Sequence, residues 1–273
     1  ARLFRDLHHG DRAFLIPNPW DIGTARLLEN LGFPALATTS SGYAFSVGRC
    51  DGGVPRDAMI AHVSAIASSV DVPVSADLMN GFGDAPEIAA ETIFLASQAG
   101  AAGGSIEDAS GRDSEPIYEK AFAADRVRAA AEAARRSEFV VTARAENYLN
   151  GRPDLKDTIE RLQAYQEAGA DVLYAPGLRS PEEIREVIRS VDRPVNVIAG
   201  FPGMTLGLAE LSALGVKRVS VGSALARFAL GAFLRAAREM QSQGTFQFAD
   251  SAISSRELNA QFTSPSEMPV TRV

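Results

Sequence analysis

Apolar and polar positions follow one recurring unit along this chain. An alanine-rich segment with apolar residues three and four apart ends in a glycine or a proline-bearing turn, and a short apolar run follows. The runs are AFLIPN (13–18), LGFPALATT (31–39), VDVPVSAD (70–77), AGAAGGSIED (99–108), FVVTARAE (139–146), AGADVLYAPG (168–177), VDRPVNVIAG (191–200) and LGVKRVSVGS (214–223). They are short and nearly all apolar, as parallel strands buried on both faces must be. Between them, PEIAAETIFLASQ and DTIERLQAYQEA have helical spacing, the second with Ile159, Leu162 and Tyr165 on one face. Gly32, Gly100, Gly169 and Gly215 stand where a left-handed residue closes a helix, and Pro73 and Pro194 follow helix ends. Strand and helix alternating about eight times predicts an α/β fold of the closed (β/α)8 TIM-barrel type rather than an open doubly wound sheet.

The unit stops at Gly244. Residues 1–244 therefore read as one barrel domain, and 245–273 as a C-terminal extension with one short helix, SSRELNAQF, that either contacts a neighbouring subunit or frays. The phenylalanines and leucines of 225–234 read as core.

Composition narrows the partners more than the fold. A chain of 273 residues that is 46% hydrophobic suits one barrel with a large core. A net charge of −7 weighs against nucleic acid and membrane surfaces as partners. The single cysteine, Cys50, excludes an internal disulfide and any multi-cysteine metal site. No apolar run approaches the roughly 20 residues of a membrane span. The opening stretch ARLFRDLHHGDRAFLIP lacks a signal-peptide core, so a soluble, cytoplasmic protein is expected.

In a barrel of this kind the chemistry sits on the loops after the strands. The polar residues there are Asn18, Trp20 and Asp21; Thr38 to Tyr43; Asp77 and Asn80; Glu107 and Asp108; Arg144, Glu146 and Asn147; and Asn196 on the seventh strand. Asp77 and Glu107 offer hard oxygen ligands for Mg²⁺ or Mn²⁺. Arg144 can fork onto a substrate carboxylate. The Thr39–Tyr43 turn can present N–H groups and hydroxyls to an anion. A plainer role competes with each, since an acid ending a strand also caps the next helix or pairs with Arg144. His62, in MIAHVSAIASSV, reads as a helix-surface residue, His8 and His9 as part of the leader, and Cys50 as an ordinary loop thiol.

Five stretches in this order, NPWDIGTARLLENLGF, TTSSGYAFSVGRCDGG, VPVSADLMNGFGD, AGAAGGSIED and TARAENYL, carry a resemblance. Over roughly residues 3–240 the chain resembles the isocitrate lyase / phosphoenolpyruvate mutase superfamily, in its short-chain branch of phosphonomutase-like, oxaloacetate decarboxylase-like and methylisocitrate lyase-like proteins. The resemblance implies a barrel assembled as a homodimer or homotetramer, with the last helix swapped between subunits. It implies C–C or P–C bond chemistry beside a 2-oxo acid, through a pyruvate enolate stabilised by Mg²⁺ or Mn²⁺. Carried over by position, Ser41, Gly42 and Tyr43 hold the substrate carboxylate or carbonyl. Asp77 and Glu107 hold the metal largely through water, and Arg144 binds the carboxylate and the developing enolate. Asp51 falls near the reacting group, while Trp20 and the 110–118 loop read substrate size and Asn196 lines the substrate site.

The departures from the family pattern matter as much. Met79 stands where a second metal-binding acid is usual, and a thioether is a poor Mg²⁺ ligand, so metal affinity falls unless Asn80 or Asp108 compensates. The loop DASGRDSEPIY lacks the catalytic cysteine of isocitrate lyases and the lysine and asparagine of the mutases, and Pro176 replaces a mutase histidine. The leading expectation is a metal-assisted carbon–carbon lyase or decarboxylase acting on a small 2-oxo or 2-hydroxy (di)carboxylic acid. Phosphonopyruvate or phosphoenolpyruvate chemistry is one alternative. A 2-oxo-acid-binding protein with degenerate catalysis is the other.

Overall fold

All eight apolar runs form strands, and the strands pair in parallel around one barrel. The computed structural model describes residues 1–263; the last part of the expected tail, 264–273, lies outside the described residues. In chain order the elements are α1 (Arg2–Leu7), β1 (Phe14–Ile16), α2 (Ile22–Asn30), β2 (Leu36–Ala37), α3 (Ser40–Ser46), α4 (Arg56–Ala67), β3 (Val74–Asp77) and α5 (Pro86–Gln98). There follow β4 (Gly103–Glu107), α6 (Lys120–Ala134), β5 (Val140–Arg144), α7 (Leu155–Glu167), β6 (Val172–Tyr174) and α8 (Pro181–Ser190). The chain continues through β7 (Val195–Ile198), α9 (Leu208–Leu214), β8 (Arg218–Ser220), α10 (Ala224–Gln243), a 3₁₀ turn (Gln247–Ser251) and α11 (Ser255–Phe262). The ladder runs β1-β8-β7-β6-β5-β4-β3-β2. A backbone bond from Ala37 N–H to the Pro17 carbonyl at 3.1 Å bridges the remaining seam, so the sheet is all but closed into a (β/α)8 TIM barrel.

Gly32, Gly100, Gly169 and Gly215 have φ of +83°, +93°, +106° and +101°, the left-handed values their places at helix ends require. The layer between strands and helices is packed with small and aliphatic side chains such as Ala143, Leu162, Leu173, Val197 and Val219. Gly103 admits Phe4, whose ring would lie 2.7 Å from a Cβ at that position. Phe4, His8 and Phe14 meet edge to face there and plug the N-terminal end of the barrel. The short helix expected in the tail is α11. Its Gln261 carbonyl accepts a hydrogen bond from Asn30 of α2, so it lies on its own barrel.

Two expectations need correction. The 225–234 segment is not core: Phe228 and Phe233 are 74% and 67% exposed, and Leu225, Leu230 and Leu234 are exposed with them. The 20-residue α10 thus carries an exposed apolar face among the described residues. His62 is not a surface residue. It is buried and stacks on Tyr43 with ring centroids 3.7 Å apart, and its Nε2 has no hydrogen-bond partner among the described residues.

His8 sits in the plug. Its Nδ1 bonds to the Phe4 carbonyl at 2.8 Å, which makes Nδ1 the donor and leaves Nε2 as an acceptor. Burial, and then the nearby Arg218 guanidinium, push its pKa from 6.5 down to about 3. The unfolded chain therefore takes up this proton long before the folded one does. That contribution to stability is complete above pH 6.5 and is lost as the pH falls toward 3. His8→Gln keeps one donor and one acceptor without the titration. It is expected to flatten the acid slope of unfolding free energy by about 1.4 kcal/mol per pH unit between those limits, read by denaturant melts. An unchanged slope would show that His8 is not held neutral.

Candidate active site

A cavity of about 490 Å³ opens among the C-terminal ends of the strands. Arg144, the last residue of β5, lines it and is held by three carboxylates. Its Nε donates to Glu146 at 2.8 Å, and its Nη2 lies 2.7 Å from Glu146 and 3.1 Å from Glu107. Its Nη1 donates to Asp77 at 3.1 Å. Of the five guanidinium N–H groups, one on Nε and one on Nη1 are hydrogen-bonded, Nη2 meets Glu146 and Glu107 as ion-pair contacts, and the second N–H of Nη1 is uncommitted. Burial opposes the arginine's charge, but Glu146, Glu107 and Asp77 outweigh it and raise its pKa well above the usual value.

The strands place these groups by register. Glu107 of β4 pairs with Arg144, Arg144 with Tyr174 of β6, Tyr174 with Asn196 of β7, and Asn196 with Arg218 of β8. All five line the cavity. Because barrel strands tilt, this row descends as it circles, from the mouth at Glu107 to the start of β8 at Arg218. The Arg144 guanidinium stands 5.2 Å from the centre of the Tyr174 ring.

The supports are equally specific. Asp77 Oδ2 accepts from Ser40 N–H at 2.9 Å and from Ser40 Oγ at 2.8 Å, while the Asp77 N–H donates to Thr38 Oγ1 at 2.9 Å. Glu107 N–H donates to the carbonyl of Met79, a non-glycine residue at φ +52°. Glu146 N–H donates to Asp108 Oδ1 at 2.7 Å. The other Asp108 oxygen accepts from Arg161 at 3.1 Å and Tyr165 at 2.5 Å. Burial raises the pKa of Glu107 to about 8 against the pull of Arg144, and it raises that of Glu146 too.

The structure gathers Ser41, Asp51, Asp77, Glu107, Arg144 and Asn196 on the cavity wall, with Met79 beside them. Trp20, Gly42 and Tyr43 do not line it. The expected turn at 39–43 is the start of α3, so three of its N–H groups are engaged within the chain: Ser40 N–H on Asp77, Gly42 N–H on the Thr39 hydroxyl, Tyr43 N–H on the Thr39 carbonyl. Gly42 lies under Thr39, Trp20 and Ala226, where a Cβ would meet the Thr39 methyl at 2.6 Å. Tyr43 turns away to stack on His62. Asn196 is held at both ends of its amide, accepting from Arg218 Nε at 2.9 Å and donating to Ser220 Oγ at 3.0 Å. Glu146 was named by its position but not given a role, and Tyr174 and Arg218 went unnoticed. The available signal was a charge inside a buried strand, in VKRVSV.

The charge balance bears on a metal ion. Three carboxylates face one guanidinium, so with all ionised two negative charges stay uncompensated around Arg144. Among the described residues no three acidic, histidine or cysteine side chains converge to cage an ion directly. Asp77 and Glu107, with the Ser40 hydroxyl, nevertheless form a hard oxygen set that fits a divalent cation held largely through water. Neither Asn80 nor Asp108 stands in for the acid that Met79 replaces. Asn80 bonds Tyr118 and Phe82 N–H, and both Asp108 oxygens are occupied.

Comparisons with known proteins agree with this geometry. The family profile for phosphoenolpyruvate phosphomutase matches residues 4–241. A solved structure from Burkholderia cenocepacia, assigned in general terms as a lyase/mutase, is 59% identical, with a TM-score of 0.94 over 97% of this chain and 95% of that one. An uncharacterised Mycobacterium tuberculosis protein is 38% identical over 86% of this chain and 87% of its own length. The 2,3-dimethylmalate lyase of Eubacterium barkeri is 28% identical over 79% of this chain and 77% of its own. More distant relatives are an oxaloacetate decarboxylase of Pseudomonas fluorescens, 28% identical over 97% of this chain and 92% of its own, and a phosphonopyruvate hydrolase. The hydrolase was solved with oxalate and Mg²⁺, at 25% identity and a TM-score of 0.84 over 96% of this chain and 94% of that one. With the fold, the Arg144 ring and these matches together, the chain belongs to the phosphoenolpyruvate phosphomutase family, within the isocitrate lyase / phosphoenolpyruvate mutase superfamily of lyases and mutases acting on small carboxylic acids.

Proposed function

We propose that this protein is a carbon–carbon lyase or decarboxylase for a small 2-oxo or 2-hydroxy dicarboxylic acid. The observation that carries the reading is Arg144 on the cavity wall, fixed by Asp77, Glu107 and Glu146, with an uncommitted N–H on Nη1 for a substrate oxygen. Cleavage beside a carbonyl sends the bond's electron pair into an enolate, and a proton must then return to carbon. Fixed positive charge at the nascent oxygen lowers that barrier because it costs no reorganisation during the reaction. Arg144 cannot swing away from its three partners, so its uncommitted N–H is preorganised. Asp77 and Glu107 would hold a divalent cation, which would supply electrophilic stabilisation of developing negative charge. Relatives named as an oxaloacetate decarboxylase and a dimethylmalate lyase support this class.

Asp51 on the cavity wall favours a second reading, P–C bond chemistry on phosphonopyruvate, which a related hydrolase also supports. Assembly of more than one copy has support as well. The exposed Phe228 and Phe233 give α10 an apolar face of the kind subunits cover.

Product release should be measured from a panel of 2-oxo and 2-hydroxy dicarboxylates, with phosphonopyruvate included, in Mg²⁺, Mn²⁺ or chelator. The expected result is metal-dependent turnover of a carbon acid. Asp77→Asn is expected to lower kcat by about 10² to 10³. Arg144→Lys is expected to lower it at least as far, since an ammonium cannot hold three carboxylates in one plane. Turnover of phosphonopyruvate alone establishes the second reading. Ligand binding with no turnover of any compound contradicts both and leaves a degenerate binding protein. For assembly, Phe228→Asp with Phe233→Asp should convert a larger species to monomer in sedimentation velocity; a monomeric wild type at the same concentration would contradict it.

A further inference from the structure

Two guanidinium groups line the cavity, and they are in opposite situations. Arg144 is surrounded by carboxylates. Arg218, at the low end of the same row, is 5% exposed and makes no ion pair among the described residues. Its Nε donates to Asn196 Oδ1 at 2.9 Å, its Nη2 to Thr142 Oγ1 at 3.1 Å, and its Nη1 faces His8 Nε2 at 3.3 Å. All three acceptors are neutral. His8 supplies a lone pair and no charge, because its proton sits on Nδ1 against the Phe4 carbonyl. One N–H on each terminal nitrogen of Arg218 is left over, the number a carboxylate uses to make two bonds.

A buried cation is normally paired, because desolvation of an isolated charge is costly. Burial pulls the Arg218 pKa down to about 10, and no anion offsets it. The surroundings are polar and uncharged: Ser75, Ser105, Tyr174, Asn196 and Ser220 also line the cavity. The pocket is thus polarised, with carboxylates at the mouth and an unpaired cation at the base.

We propose that Arg218 is the receptor for one carboxylate of the substrate, held at the base of the cavity while the reacting carbons lie beside Arg144. Asn196 acts as a positioning residue, since its amide oxygen fixes Arg218 and its amide nitrogen fixes Ser220. This deepens the reading of the site as one for dicarboxylic acids and rests on it. It explains why a second anchor is needed: Arg144 is already in contact with three carboxylates, which repel a further anion from it. A small inorganic anion has the same chemistry as the carboxylate end, so the test must separate the two sources.

The test compares binding of succinate and butyrate, which differ by one carboxylate, using calorimetry on the wild type, Arg218→Met and Arg218→Lys. The wild type is expected to prefer succinate at least tenfold. Arg218→Met should bring the two affinities within threefold of each other. Where Arg218→Met does not fold, Arg218→Lys carries the test and should lower the preference at least threefold by losing the planar fork. A preference unchanged in either variant overturns the proposal, even if lyase turnover is found. Loss of the preference in a protein that turns nothing over keeps the subsite and removes only the lyase reading. A wild-type preference abolished by moderate chloride, with turnover untouched, assigns Arg218 to an inorganic anion and overturns the substrate role.

Discussion

The site depends on one electrostatic constraint: a single guanidinium, Arg144, bonded to three carboxylates from three strand ends. Removing the guanidinium would leave three carboxylates buried without compensation, which costs several kcal/mol in typical cases. The ring therefore fixes the mouth of the barrel more firmly than its short strands could. It also ties the site to the outer layer. Glu146 is anchored through its N–H to Asp108, and Asp108 is anchored to Arg161 and Tyr165 of α7. The β3–α5 loop is held likewise by the buried Arg126, which donates to the carbonyls of Asn80, Gly83 and Asp84. The scaffold spends buried charge to immobilise the groups that would otherwise relax around a changing substrate.

That choice shapes what the cavity can bind. An arginine saturated by carboxylates is a rigid electrostatic element with little capacity left to grip an anion. The excess of acid at the mouth suits a divalent cation, and the unpaired Arg218 at the base suits an anion. A ligand lying between them is aligned end to end by the pocket's own field.

The architecture was legible because its determinants are local. Four glycines, at the ends of α2, α5, α7 and α9, punctuate eight apolar runs of strand length, and a barrel follows from that grammar. The acids and the arginine of the ring were legible because they end strands. What escaped depends on orientation. Which N–H groups of the 39–43 segment face a ligand turned on Thr39 capping α3, which engages those of Gly42 and Tyr43. Whether 225–234 is core turned on where the long α10 points, and its heptad-like apolar spacing is the same for a buried helix and an unpartnered one. Arg218 escaped because a charged residue in an apolar strand has two readings, a structural knot or a ligand site, and only its neighbours separate them.

The most direct test of the account is calorimetric titration of Mg²⁺ into chelator-stripped protein, without substrate, for the wild type and Asp77→Asn. Saturable binding of one ion per chain, weakened at least about tenfold in the variant, is the predicted result. Absence of saturable binding in the wild type, or equal affinity in the two proteins, would show that the acidic ring serves only to hold Arg144 and would contradict the account.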